Sequence, residues 1–218
     1  MVTSQFIHVQ PDDIEATSMA IITAELPHPL DPVLAPLITR VIHTTADFDY
    51  ADSLRFSPQA VPLAQAALGQ GATIVTDTMM AQSGINRTAL TTLGCQTRCY
   101  MADPETAAIA QATGTTRAVA AMDRATELPS PVIFAIGNAP TALIRLHELI
   151  GAGRLTPALI IGVPVGFVNV VAAKELIMTA GVTYIVNQGR KGGSTVAAAI
   201  VNALLYSLTR QKDRNAQP

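Results

Sequence analysis

Five short apolar, β-branched runs recur along the chain: A-T-I-V-T-D (72–77), Q-T-R-C-Y-M (96–101), P-V-I-F-A-I-G-N (131–138), A-L-I-I-G-V-P (158–164) and V-T-Y-I-V-N-Q-G (182–189). Each has the length and branching of a buried strand, and each ends in polar or glycine punctuation. Between them lie longer, alanine-rich helical stretches. The alternation predicts an α/β fold with a largely parallel sheet flanked by helices. Ser57-Pro58 and Asp103-Pro104 each place an N-cap residue before a proline suited to the first helical position, and Gly69 and Gly114 stand where those helices should stop. The first 56 residues read differently, as an N-terminal helical and loop segment. Its second helix, L-D-P-V-L-A-P-L-I-T-R-V-I-H, runs into His43 and an irregular loop. The end R-Q-K-D-R-N-A-Q-P (210–218) reads as a polar, fraying tail. With no internal repeat and no low-complexity linker, residues 1–218 are read as one domain.

In open α/β sheets ligands bind beyond the carboxyl ends of the strands. Asp77 before T-M-M-A-Q-S-G-I, G-N-A-P-T-A-L from 137, G-V-P-V-G-F-V from 162 and Q-G-R-K-G-G-S-T from 188 all follow strands, so these turns should share one edge. The last, leading into an alanine-rich helix, has two readings. Its backbone N–H groups, with Arg190 and Lys191, suit an anion such as a carboxylate. Equally, its glycines suit close packing of helix on sheet. Neither G-x-x-x-x-G-K-[ST] nor G-x-G-x-x-G is present, which leaves little support for a nucleotide.

Composition narrows the partners. Hydrophobic residues make up 49% of the chain and charged residues 14%, which excludes a disordered or nucleic-acid-coating protein. So apolar a surface favours cover by a partner subunit, hence a homo-oligomer. A net charge of −2 gives no basic field for nucleic acid, so an anionic ligand needs local arginines. Cys95 and Cys99 lie four apart with no second pair and no nearby histidine, too few ligands for a structural zinc site, and read as reduced thiols. No leader-like segment and no apolar run of about 18 residues is visible, so a cytoplasmic protein without a membrane span is expected.

His43 is one of four histidines. At a helix end it could pack or cap the helix, or it could move a proton. Arg40, three residues earlier, points from the same face. His8, His28 and His147 fall in no metal-ligand spacing, so no metal is expected. Asp47, Asp49 and Asp52 could form an acid–base cluster or a solvated loop face. No nucleophile elbow or catalytic cysteine setting is present.

Taken together, R-V-I-H (40–43), D-F-D-Y-A-D-S-L-R-F-S-P (47–58), G-N-A-P-T-A-L (137–143), G-V-P-V-G-F-V (162–168) and G-R-K-G-G-S-T (189–195) closely resemble the precorrin-8X methylmutase family, also called cobalt-precorrin-8 methylmutase, of corrinoid biosynthesis. The motifs stand in family order over nearly the whole chain. The resemblance implies an isomerase that moves a methyl group within ring C by a 1,5-sigmatropic shift, giving hydrogenobyrinate or cobyrinate. It also implies a homodimer with sites near the subunit interface, and no cofactor. His43 matches the family's general acid/base. Arg40 and Ser18 match substrate contacts, and Arg117 in G-T-T-R-A-V-A resembles an arginine that reaches the substrate. Because the tetrapyrrole carries several carboxylates, and a guanidinium can hold a carboxylate in two parallel hydrogen bonds, the candidate clamps are Arg40, Arg87, Arg117, Arg190 and Lys191. In D-T-M-M-A-Q-S-G-I-N-R, Thr78 and Met79 replace an often more polar pair. Two rivals stand beside this reading: a corrinoid carrier that binds without turnover, and a nucleotide-dependent enzyme using the Gly189–Thr195 loop.

Overall fold

The computed structural model describes residues 9–215. In chain order its main elements are α1 (Ile14–Glu25), α2 (Ala35–Thr45), α3 (Tyr50–Ser53), β1 (Leu54–Phe56), α4 (Ala60–Gly69), β2 (Thr73–Thr76), α5 (Met79–Gly84), α6 (Arg87–Leu93) and β3 (Gln96–Arg98). They continue with α7 (Pro104–Thr113), α8 (Arg117–Ala125), β4 (Val132–Ile136), α9 (Pro140–Gly151), β5 (Leu159–Gly162), α10 (Val170–Thr179), β6 (Tyr184–Asn187) and α11 (Ser194–Asn215). The six strands form one sheet in the order β1-β6-β5-β4-β2-β3. All neighbours are parallel except β1, which runs antiparallel to β6.

Alternation along the central strands sorts their side chains onto two covered faces, as a period of two requires. Ile74, Ile133, Ala135, Leu159, Ile161 and Ile185 join one core with α1, α2, α4, α6 and α11. Val75, Val132, Phe134, Ile136, Ile160 and Val186 join the other with α8, α9 and α10. Because β2 is followed on one side by β3 and on the other by β4, the chain reverses its winding between β2 and β4. That reversal is where a doubly wound sheet opens a crevice.

Three local expectations are corrected. The 54–56 stretch is a short antiparallel edge strand, where the loop expected after His43 left no room for one. Ser57 does not cap a helix starting at Pro58; its hydroxyl accepts the Tyr184 N–H at 2.9 Å, extending the β1–β6 ladder, and α4 starts at Ala60 after Gln59 in a left-handed conformation. Helix α11 takes in the first part of the polar 210–218 tail, as far as Asn215; residues 216–218 lie outside the described residues. Asp103 stands at the N-cap of α7 as expected, but its carboxylate bonds Arg124 at 2.7 Å and leaves the helix N–H groups alone. Among the described residues no helix is long and apolar enough to cross a membrane.

Candidate active site

Helix α2 buries Leu37, Ile38, Val41 and Ile42, a stripe that packs into the α1/α11 core. Burial of such side chains contributes roughly 1.5–3 kcal/mol each, so this stripe sets the helix position and His43 does not. His43 itself is exposed, in the last turn, and Arg40 lies one turn earlier. The helix ends at Ala46, in a left-handed conformation, whose N–H bonds Ile42 O at 2.7 Å. The chain then enters the Asp47–Asp49 loop.

That loop is tied to the far end of the sequence. Lys191 Nζ reaches Asp47 and Asp49 at 2.6 Å each, which holds the Asp47 carboxyl below its ordinary range and Lys191 above its own. The aspartates are thus neither a free acid–base cluster nor a merely solvated face. They anchor the segment after His43 to the β6–α11 turn. Asp52 goes elsewhere, to His28 at 2.8 Å.

The β6–α11 turn, Gly189 to Ser194, is where the strand-end turns meet. Gly193 N–H bonds Val163 O at 2.9 Å, Gly166 N–H bonds Arg190 O at 3.2 Å, and the Ser194 and Thr78 hydroxyls lie 2.8 Å apart. A Cβ on Gly192 would sit 2.0 Å from Val163 O, and one on Gly137 would sit 2.7 Å from Gly193 O. Of the two readings of this loop, close packing therefore accounts for its glycines. The shared edge expected from the sequence is present.

From beneath, Lys174 of α10 enters this turn. It is 1% exposed, and its ammonium donates to Gly189 O at 2.9 Å and Lys191 O at 2.8 Å. Burial lowers its pKa to about 8. Because the unfolded chain, with an ordinary lysine pKa near 10.5, binds the proton that the folded chain has lost, the Lys174 contribution to stability must rise with pH between about 8 and 10.5. In denaturant titrations across that window the stability of wild type relative to Lys174→Met should therefore increase as pH rises, by up to roughly 3 kcal/mol. A constant difference would contradict a depressed Lys174.

At the β2/β4 reversal the crevice is filled from within. Asp77 is fully buried and accepts the N–H groups of Gly137 (2.9 Å), Asn138 (2.7 Å) and Ala139 (2.6 Å), the backbone leading into α9. Burial pushes its carboxyl up, and the three N–H donors oppose that. An internal carboxylate thus occupies the N–H groups at which a phosphate would be sought. With Gly193 N–H also spent on Val163, the nucleotide reading loses its physical basis.

The expected contacts fall into four places. Ser18 lies on α1, and Arg40 and His43 on α2: Arg40 ties the two helices by bonding Glu15 at 2.5 Å and stacks 5.3 Å from the Tyr206 ring, while Ser18, one turn beyond Glu15, donates to Ile14 O at 2.9 Å. Arg190 and Lys191 lie on the sheet edge beside the His43 loop. Arg117 opens α8, next to the start of α9 through a Thr116–Thr141 hydroxyl contact of 3.3 Å. Arg87 lines a separate pocket of about 500 Å³ with Met79, Gln82, Thr91 and Thr97 on the β3 flank. Among the described residues Arg87, Arg117 and Arg190 have no carboxylate partner, whereas Arg40 and Lys191 do. Around them the edge is apolar and open: Met79 and Met80 after β2, then Val165, Phe167 (82% exposed) and Val168 after β5, with the Arg190 guanidinium 5.4 Å from the Phe167 ring. No cluster of three acidic, histidine or cysteine side chains able to hold a metal occurs among the described residues.

The model of the precorrin-8X methylmutase family matches residues 13–207. The chain belongs to that family. It is 46% identical over 206 residues to the cobalt-precorrin-8 methylmutase of Salmonella typhimurium, covering 91% of this chain and 96% of that protein. It is 42% identical over 197 residues to that of Priestia megaterium, covering 90% and 88%. A solved structure of precorrin-8X methylmutase from Thermus thermophilus superposes with a TM-score of 0.83 at 40% identity, covering 91% of this chain and 98% of that one. The doubly covered sheet described above is therefore a fold that this chain shares with that solved methylmutase. Lys174 escaped the sequence reading. Its signal was a lysine within the apolar stripe Val170, Ala173, Ile177 of α10, all buried, a position that a solvated lysine would not take.

Proposed function

We propose that this chain moves a methyl group within ring C of precorrin-8X or its cobalt counterpart, giving hydrogenobyrinate or cobyrinate, with His43 as the proton donor and acceptor. The observation that carries the reading is the family match across residues 13–207 together with near end-to-end likeness to cobalt-precorrin-8 methylmutases. The rearrangement needs no nucleophile and no redox partner. A ring nitrogen takes a proton, electron density is withdrawn from the conjugated system, the carbon–methyl bond breaks as the new one forms, and the proton returns. Imidazole is the side chain whose ordinary pKa lies nearest to neutrality, which suits both transfers. An exposed imidazole on a helix held by a separate buried stripe is free for that work.

Arg87, Arg117 and Arg190, which have no carboxylate partner among the described residues, suit the carboxylates on the macrocycle rim. A carboxylate that reaches Arg40 exchanges with Glu15. The open apolar edge from Met79 to Val168 suits the faces of a flat ring or of a second subunit, and two copies form the working enzyme, giving a solution mass twice 22.8 kDa. Cobalt, where present, arrives inside the substrate.

Incubating the pure protein with precorrin-8X and with cobalt-precorrin-8, and following the absorption spectrum, tests the reading. Conversion of at least one form is expected, and the preferred form identifies the natural substrate class. Tight binding of both without any spectral conversion would leave a carrier instead of an enzyme.

A further inference from the structure

Burying a lysine without a carboxylate partner is costly. At position 174 a leucine or methionine would fill the same space between Ala173, Ile177 and the sheet at lower cost. What lysine adds is a head with several donors, and here that head is spent on two backbone carbonyls. They are Gly189 O at 2.9 Å and Lys191 O at 2.8 Å, the carbonyls on either side of Arg190. Arg190 O itself accepts the Gly166 N–H at 3.2 Å, and Lys191 O also accepts from the Asn187 side-chain amide at 2.5 Å. Three consecutive carbonyls are thus fixed. The surrounding turn would otherwise be loose, since Gly189, Gly192 and Gly193 all take φ values that other residues rarely adopt (77°, 151° and 138°). With its carbonyl and both flanking carbonyls turned onto partners, the Arg190 side chain leaves the turn toward solvent, over the Phe167 ring.

We propose that Lys174 is a positioning residue: from beneath the β6–α11 turn it sets the direction in which Arg190 presents its guanidinium to the substrate. The proposal rests on the reading of Arg190 as a carboxylate clamp. A lysine that served only the fold would change stability and leave substrate affinity alone, so the separating measurement is KM against kcat in a double-mutant cycle.

Arg190→Ala is expected to raise KM about tenfold, the loss of one charge-assisted contact. Lys174→Met, with Arg190 present but no longer aimed, should raise KM by a similar factor while kcat stays within about threefold. In the Arg190→Ala background the same Lys174→Met change should then add less than about twofold, because the residue it acts through is gone. Hydrogen exchange over residues 188–194 should quicken in Lys174→Met. Should Lys174→Met not fold, Lys174→Gln, which keeps a shorter amide donor, carries the same cycle. A wild-type KM in the lysine variant, or a KM effect that multiplies in full with that of Arg190→Ala, overturns the proposal. A wild-type KM in Arg190→Ala alone overturns the clamp reading first, and the proposal with it.

Discussion

His43→Ala is expected to lower the rearrangement rate by roughly 10²–10⁴, the usual contribution of a positioned acid–base group, while the protein folds normally and binds the macrocycle within about threefold of wild type. The structural half of this expectation follows from α2. Leu37, Ile38, Val41 and Ile42 carry its packing, and the Ala46 N–H closes its end on Ile42 O at 2.7 Å. Removing an exposed imidazole disturbs neither, so stability should change by no more than about 0.5 kcal/mol. The binding half follows from the separation of tasks. Arg190, Arg117 and Arg87 lie on the β6–α11 turn, α8 and α6, and none of these is the helix that carries His43. Stopped-flow or steady-state absorption for turnover, and direct titration with the product for affinity, would measure the two halves independently. A variant that turns over within tenfold of wild type would remove the proton role from His43. One that loses binding as well as turnover would show that the imidazole also holds the ring.

Much of the fold was legible because its signals are local. The central strands are buried on both faces, so they read as uninterrupted β-branched runs, and their shared carboxyl edge follows from parallel alternation alone. The β1 strand was not legible. It has three residues, one of them the exposed Arg55, and exists because Ile185, Val186 and Asn187 lie opposite it, about 130 residues away in the chain. Ser57 misled for the same reason: a hydroxyl before a proline satisfies the helix-capping rule, yet a strand N–H claimed it. The arginines divide along the same line. Nothing local distinguishes Arg190, left without a carboxylate among the described residues, from Lys191, claimed by Asp47 and Asp49, or Arg40, claimed by Glu15. Residue type announces a capacity for carboxylate; only the fold decides which carboxylate takes it. Lys174 is the reverse case, a charged residue inside an apolar stripe, whose meaning depends on two carbonyls that no sequence pattern marks.

Asp77→Ala should be the most destabilising single change at the sheet edge. Its carboxylate is the acceptor for three successive N–H groups, of which those of Gly137 and Ala139 are fully buried. Truncation leaves both buried donors without an acceptor, at about 1–3 kcal/mol each, and so removes on the order of 4 kcal/mol from a native stability that for domains of this kind is about 5–15 kcal/mol. Asp77→Asn separates charge from hydrogen bonding. Its carbonyl can serve Asn138 and Ala139, but its amide must then face the Gly137 N–H, donor against donor, so one bond is lost and the cost falls to roughly 1–3 kcal/mol. The burial that raises the Asp77 pKa acts against the carboxylate, and the neutral amide escapes it, which also makes Asn the milder change. Urea titrations of the two variants should therefore rank wild type, Asn, Ala in falling stability. If Ala matched wild type within about 1 kcal/mol, the three N–H groups would not need this acceptor, and the crevice between β2 and β4 would be open to an external anion after all.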